Sequence, residues 1–314
     1  MLRSIKVDFT NLCNASCPFC PYHGTSGSVT VQGKRQIEPR SSLSLFDMER
    51  LAGGLDDVGL RPIIKFSGRG EATTNPEFAS VIRLLRARGF PQRLITNGLL
   101  LRQHAPLLAE HAVEVIVSIH GTAQVHDAVI GRKDALVLAQ RGIRGLLDNG
   151  NSPQIAIILT ADTARDLPEL IAEYAAHGLR VRVHHNFDQS ARSLLDPGEV
   201  QALRVQIKER YPDIAWVPEL SEPAIHAYYG PEPYVLAPHH CSRYQDEIEV
   251  WSDGSVTVCD SKPFGNIRDD SITTIMASGA RAGFLKTVDQ ELKRTQGLDP
   301  TRCDRCCYQQ APAD

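Results

Sequence analysis

Residues 4–20 read SIKVDFTNLCNASCPFC, and the order of the two halves of this stretch decides the fold. Ile5–Phe9 has the composition of a short β-strand, and it is followed at once by Cys13, Cys17 and Cys20 in the spacing Cys-x3-Cys-x2-Cys. Three thiols on one loop directly after a strand lie at the C-terminal mouth of a parallel sheet. That is where α/β folds place their chemistry.

The chain to about residue 186 alternates β-like runs with helix-like segments, the pattern of parallel β/α units. Strands are predicted near Ile63–Phe66, Arg93–Thr96, Val113–Ile119, Ile155–Leu159 and Val181–His184 after the first. Helices fit at Leu45–Val58 behind a Ser44 cap, Pro76–Arg88, Leu99–His111, Asp134–Asp148 and Thr163–His177, with a sixth near Gly198–Arg210. Six such units are too few to close an eight-stranded barrel, so the expected fold is a partial, open-sided (β/α)6 barrel. Between the cysteines and the first helix, His23–Ser42 is polar and aperiodic, which reads as a long loop of the kind that often serves as a lid.

The 314 residues suffice for one large domain and a small extension. With 42% hydrophobic and 23% charged residues a sizeable core can form, and a net charge of −3 gives no electrostatic reason to expect a nucleic-acid partner. No stretch approaches the length of a membrane span and the first residues lack a signal-peptide core, so a cytoplasmic protein is expected. Eight cysteines are many for a reducing compartment unless they bind metal or react. They fall into two sets, Cys13, Cys17 and Cys20 at one end and Cys241, Cys259, Cys303, Cys306 and Cys307 at the other, with none between.

Three thiolates on one loop can hold three irons of a [4Fe–4S] cube and leave the fourth iron open, whereas zinc and ordinary cluster sites take four protein ligands. Structural zinc is the alternative, with His23 as the only fourth ligand nearby.

At this point the sequence resembles the radical S-adenosylmethionine (SAM) superfamily over nearly its whole length. The resemblance implies that SAM chelates the open iron and is cleaved to a 5′-deoxyadenosyl radical. Phe19 matches the aromatic residue that the family carries between its last two cysteines. SGRGEATTNPEF resembles the family's Gly-Gly-Glu-Pro segment, which implies that Gly70 and Glu71 receive the SAM amino group; Arg69 stands in place of the first glycine and Ala72 in place of the proline. Thr96-Asn97-Gly98 resembles a family Thr-Asn-Gly near the ligand, although Asn97 would also suit a helix start. Ser118-Ile119-His120-Gly121 resembles Ser-x-Asp-Gly with His120 in the aspartate position, which implies that Ser118 touches the methionyl end. Leu159 on the fifth strand would lie against the adenine.

The C-terminal part resembles the auxiliary-cluster extension called SPASM, or twitch in its shortened form. Gly254-x4-Cys259 at the end of a hairpin (Glu247–Trp251 with Ser255–Cys259), Phe264-Gly265-Asn266-Ile267 before a short helix, and Cys303-x2-Cys306 carry the match. The resemblance implies a second [4Fe–4S] cluster on Cys241, Cys259, Cys303 and Cys306, with four-cysteine zinc as the alternative, and leaves Cys307 over. The expected division is residues 1–210 for the partial barrel, 211–238 for a crossover and 239–314 for the twitch-type extension.

In organisation the chain looks most like the small twitch enzymes of the 2-deoxy-scyllo-inosamine dehydrogenase-like group, which act on carbohydrates or aminocyclitols. That implies oxidation of a carbinol to a ketone on a sugar-like aminoglycoside precursor. The auxiliary cluster would accept an electron, and an external donor such as flavodoxin or ferredoxin would supply the first one. His184, His185 and Arg192 are the candidate base and substrate contacts, with His120 and His23 behind them, and Asp188, Glu219 and Glu222 are candidates for holding an amino group. Epimerisation with Cys307 or Cys241 returning a hydrogen atom is the alternative. Peptide modification, usually accompanied by a leader-binding domain, and a zinc-bound scaffold are further readings.

Overall fold

Ser44 begins the first helix because its hydroxyl accepts from the Asp47 N–H (3.1 Å) while its own N–H donates to the Asp47 carboxylate (2.9 Å), a reciprocal cap. In the structure, a computed structural model that describes residues 2–18, 20, 22–23, 39–185, 195–217, 219–230, 243–258 and 262–292, such local signals lead into one ten-stranded sheet. Strands β1 (Ser4–Val7), β2 (Ile63–Phe66), β3 (Gln92–Thr96), β4 (Glu114–Ser118), β5 (Gln154–Leu159) and β6 (Arg180–His185) are the six expected, parallel and side by side in chain order. Helices α1 (Leu45–Asp56), α2 (Phe78–Ala87), α3 (Leu101–Glu110), α5 (Ala135–Asp148) and α6 (Ala161–Ala176) connect them as expected. A further helix, α4 (Ala123–Ile130), lies in a stretch too short for its periodicity to be read.

Two more parallel strands extend the barrel. The segment expected as an irregular crossover contains β7 (Ala215–Val217), paired with β6, and a helix at Glu222–Tyr229. The expected hairpin forms as β8 (Glu247–Val250) and β9 (Ser255–Thr257), followed by β10 (Gly265–Asn266). It does not stand apart from the sheet, because β8 also pairs in parallel with β1, Ser4 opposite Glu247 and Val7 opposite Val250. The Arg268 guanidinium then reaches back to the Asp47 carboxylate (3.0 Å), tying the end of the sheet to the cap of α1.

The two faces of the sheet differ in kind. Ile5, Val7, Ile64, Phe66, Leu94, Val115, Val117, Ile155, Ile157, Val181 and Val183 point into the buried apolar core under the helices. The alternate positions carry Lys6, Lys65, Arg93, Glu114, Gln154, Arg182, Glu247 and Glu249, linked across strands by contacts such as Lys65–Glu247 (2.5 Å), Lys6–Glu249 (3.3 Å) and Arg93–Glu114 (2.7 Å). A parallel sheet covered on both sides would read as continuous apolar runs, so this alternation marks one face as free of helices. A buried large apolar side chain contributes about 1.5–3 kcal/mol. A partly exposed ion pair contributes about 0–1 kcal/mol. Stability therefore comes from the helix side, which leaves the polar face to be shaped by what it binds.

Candidate active site

The thiol loop is fastened from three sides before any metal is considered. Asn11 and Ser41 exchange hydrogen bonds (Asn11 N–H to Ser41 O, 3.1 Å; Ser41 N–H to Asn11 Oδ1, 2.9 Å), and Thr10 Oγ1 meets Ser42 Oγ at 2.7 Å. The Ser16 N–H donates to the Ile130 carbonyl (3.0 Å) at the end of α4, and the Glu71 N–H donates to the Leu12 carbonyl (2.8 Å). Gly70 makes the last approach feasible: a Cβ there would stand 2.2 Å from the Thr10 carbonyl oxygen and 2.4 Å from that of Leu12. The glycine is thus required by the backbone of the cysteine loop itself.

Glu71 is buried and organises the wall beside that loop. Its Oε1 accepts from the hydroxyls of Thr73 (2.7 Å) and Thr96 (2.9 Å) and from the Thr73 N–H (3.2 Å), while Oε2 accepts from the Asn97 N–H (2.9 Å). Burial pushes its carboxyl above the usual carboxylate range, and these donors work in the opposite direction. Asn97 completes the wall, its amide N–H donating to Asn14 Oδ1 (2.8 Å) with Cys13 Sγ 3.9 Å away. Gly70, Glu71, Thr96 and Asn97 are therefore brought together around the thiols, with most of the acceptor capacity of Glu71 already spent within the protein.

Cys13, Cys17 and Cys20 carry free thiols, each partly accessible. Burial and then neighbouring negative charge push Cys13 up to about 11 and Cys17 up to about 12, so both are neutral thiols at pH 7 until a metal displaces the proton. Among the described residues no three Cys, His, Asp or Glu side chains converge to enclose a single ion. A cube asks for something else, since each thiolate takes its own iron corner. Asn14 Nδ2, buried with no hydrogen-bond partner among the described residues, offers a hydrogen bond to an anionic group beside Cys13. The donor set thus fits an iron–sulfur cube.

Further along the polar face, the ends of β4, β5 and β6 meet. Ser118 ends β4 and is paired with Ala156 of β5. His120 Nδ1 accepts from the Ile158 N–H (3.2 Å), and the backbone N–H of His120 donates to His126 Nδ1 (3.0 Å). Burial, then the proximity of His126 and His184, lowers His120 to about 3; burial, then Arg182, lowers His184 to about 4. Both rings are neutral at physiological pH. His184 and His185 occupy opposite faces: His184 is registered with Ile158, whereas His185 is registered with Leu159. His185 is fully buried, its Nδ1 2.7 Å from the Tyr229 hydroxyl and its ring packed against Trp216 and Tyr228. Leu159 likewise sits in the core beneath the helices. The structure places these two side chains away from the face that carries the thiols, and Ile158 and His184 on it. Glu219 is engaged by Arg204 and Lys208, and Glu222 is exposed in the first turn of its helix. Phe19, Asp188, Arg192, Cys241, Cys259, Cys303, Cys306 and Cys307 lie outside the described residues.

The sequence reading missed a second polar group at the mouth, between β1, β2 and β8. Lys6, Asp8, Tyr22, Arg69, Glu249 and Trp251 line a small cavity there. Asp8 Oδ1 accepts from the Arg69 N–H (2.8 Å), and the Arg69 guanidinium stacks on Trp251 (3.7 Å to the ring centre) and lies against Tyr22 (5.3 Å). A signal existed: Asp8 continues the alternation that puts Lys6 on the polar face.

Residues 7–173 match the radical SAM superfamily, and residues 241–307 match SPASM, an iron–sulfur cluster-binding domain. The chain belongs to the radical SAM superfamily, which implies that it is an enzyme using SAM and iron–sulfur chemistry. Among similar proteins is a probable GTP 3′,8-cyclase of Methanopyrus kandleri, 28% identical over 193 residues, 58% of this chain and 56% of that protein. The sporulation killing factor maturation protein SkfB of Bacillus subtilis is 26% identical over 301 residues, 90% of this chain and 66% of SkfB. The chain thus spans about half the length of the cyclase-like relatives that it matches. Among solved structures, native anSMEcpe with bound AdoMet aligns with a TM-score of 0.67 at 17% identity, covering 100% of this chain and 92% of that one. BtrN in complex with AdoMet and 2-DOIA aligns with a TM-score of 0.51 at 15% identity, covering 98% of each chain. At such identities the likeness is one of fold. Among the described residues no helix is long and apolar enough to cross a membrane.

Proposed function

We propose that this chain is a radical SAM oxidoreductase that oxidises a secondary alcohol of a sugar-like or aminocyclitol intermediate to a ketone. The observation that carries this reading is the helix-free face of the sheet, whose mouth carries Lys6, Asp8, Arg69 and Glu249, a lining that suits a hydrophilic substrate and offers an apolar one little. The near-complete mutual coverage with BtrN, a structure holding AdoMet and 2-DOIA, supports it.

Cys13, Cys17 and Cys20 would hold a [4Fe–4S] cluster that, with SAM on its open iron, supplies a 5′-deoxyadenosyl radical. Phe19, Gly70, Glu71, Thr96, Asn97 and Ser118 are the proposed SAM-site residues, with Ile158 rather than the core-facing Leu159 on the polar face of β5; Gly70, Glu71 and Asn97 act by fixing the loop and the wall. Cys241, Cys259, Cys303 and Cys306 would hold a second [4Fe–4S] cluster, whose chemistry is one-electron acceptance, with flavodoxin or ferredoxin as the external donor. His184 is the proposed acceptor of the hydroxyl proton, because it lies on the polar face and is neutral at pH 7. Arg192 would bind substrate oxygens, and Cys307 stays the candidate hydrogen donor of an epimerase.

A base already neutral predicts a characteristic pH profile. Protonation switches His184 off only near pH 4, so ketone formed per 5′-deoxyadenosine should stay flat between pH 8 and pH 6. A histidine at its ordinary value of about 6.5 would lose more than half of its active form across that range.

A second reading is supported by SkfB, a maturation protein matched along most of this chain, and by peptide-bound structures of the same fold. Anaerobic reconstitution and mass spectrometry against aminocyclitol and aminoglycoside intermediates decide between the two. Expected is a product two hydrogens lighter, one per 5′-deoxyadenosine. Deuterium gained from solvent without that loss would instead mark epimerisation, and turnover restricted to a peptide would overturn the alcohol reading.

A further inference from the structure

The cavity between β1, β2 and β8 has about 290 Å3 of empty space, part of it open to solvent, and nothing in the proposed roles uses it. Two residues of its lining each carry a polar atom that is buried with no hydrogen-bond partner among the described residues: Asp8 its acceptor Oδ2 and Trp251 its donor Nε1. Asp8 is 3% exposed. Its other oxygen has a structural task, holding the Arg69 N–H at 2.8 Å, and Gly68 is packed so closely that a Cβ would stand 2.6 Å from it. Oδ2 has no such task. Native proteins rarely leave a buried carboxylate oxygen and an indole N–H unsatisfied, and when both belong to residues that line one cavity a ligand that answers both is the economical explanation.

The charges around the cavity narrow the ligand. Asp8 and Glu249 are acidic, Lys6 and Arg69 are basic, Lys6 is paired with Glu249 at 3.3 Å, and the Arg69 guanidinium is stacked on Trp251. An ammonium would gain from Asp8 while facing Lys6 and Arg69, and a phosphate would meet the reverse problem. A neutral group that both donates and accepts meets neither. Resting on the alcohol-oxidising reading above, we infer that this cavity is a substrate subsite for one hydroxyl of a polyhydroxylated ring, its O–H donated to Asp8 Oδ2 and its oxygen accepting from the Trp251 indole N–H. Burial raises Asp8 to about 6, against the pull of the Arg69 N–H and guanidinium, Lys6 and the Gly70 N–H, so the carboxylate is mainly ionised at pH 7.5 and able to accept. Arg69 stands where the resembling family has glycine, so this wall belongs to the present sequence.

The test is calorimetric titration of the reconstituted, SAM-loaded full chain at pH 7.5 with scyllo-inositol and, separately, scyllo-inosamine. Expected is millimolar or tighter binding of scyllo-inositol, weakened at least 10-fold by Asp8→Asn and about 3- to 10-fold by Trp251→Phe, which keeps the stacked ring and removes only the N–H. Thermal midpoints of the variants report whether either change disturbs folding, and Trp251→Phe keeps the proposal testable if Asp8→Asn does. Absence of scyllo-inositol binding to the unmodified chain overturns the subsite. So does unchanged affinity in both variants, or binding of scyllo-inosamine alone, which would make the cavity a cation site. SAM cleavage by the unmodified chain is measured in parallel. Inositol binding without cleavage sinks the enzymatic reading and leaves the subsite, and cleavage without inositol binding does the opposite.

Discussion

Gly70→Ala is expected to abolish loading of the thiol loop while leaving the chain folded. The added methyl group would stand 2.2 and 2.4 Å from two carbonyl oxygens, those of Thr10 and Leu12, and backbone atoms cannot swing aside as a flexible side chain would. The loop must therefore move by roughly 1 Å to restore ordinary contact, far outside the ~0.2 Å tolerance of metal–ligand distances. A misplacement of that size costs about 100-fold in rate even without loss of the metal group. Iron analysis after anaerobic reconstitution should show about four fewer irons per chain, as expected of one lost cube, and 5′-deoxyadenosine formation should fall by about 100-fold or more. Retention of both would mean that the loop and the Gly70 turn are not coupled as their geometry requires.

Glu71→Gln should be nearly as damaging, by a different route. Two effects oppose each other. Removing a charge relieves the burial penalty that lifts this carboxyl above its ordinary range, and on its own would favour the variant. Glutamine, however, has one acceptor oxygen and one NH2 group. With the oxygen placed at Oε1 to serve Thr73 and Thr96, the NH2 group faces the Asn97 N–H, donor against donor; turned over, it faces the Thr73 N–H, again donor against donor, although the two hydroxyls can then accept. A buried donor left unsatisfied costs about 1–3 kcal/mol, and the loss falls on the residue that holds Asn14 and stands beside Cys13. Urea unfolding should register that loss, and SAM affinity measured on the cluster-loaded protein should weaken about 10- to 100-fold. A variant with unaltered SAM affinity would show that the wall does not position the ligand.

The six central strands and their helices were legible in the sequence because capping residues such as Ser44 and alternation such as Ile5, Val7 and Phe9 act over a few residues. Strand β7 was not, since Ala215–Val217 is too short to show a period and owes its state to pairing with Arg182–His184. The thiol loop was legible as a spacing, and Gly70, Glu71 and Asn97 only through the resemblance of their segments to the motifs of a known family. The pairing of β8 with β1 was not, because the segments meet only through tertiary packing. The same limit explains the histidines: the sequence offers His184 and His185 as equals, and only strand register sends one to the polar face and the other beneath the helices. Asp8 was passed over because a lone aspartate in a strand carries no motif; it takes Trp251, far along the chain, to make a cavity of it.

The place of β1 between β2 and β8 has a consequence for biosynthesis. The serine that opens this strand is bonded to a glutamate 243 positions later. At a translation speed of about 5–20 residues per second, roughly 10–50 s separate the appearance of the first partner from that of the second. For that interval the nascent strand that leads into the thiol loop lacks its second neighbour, so the loop's complete surroundings, and with them a finished iron site, form only once the chain has grown past β8.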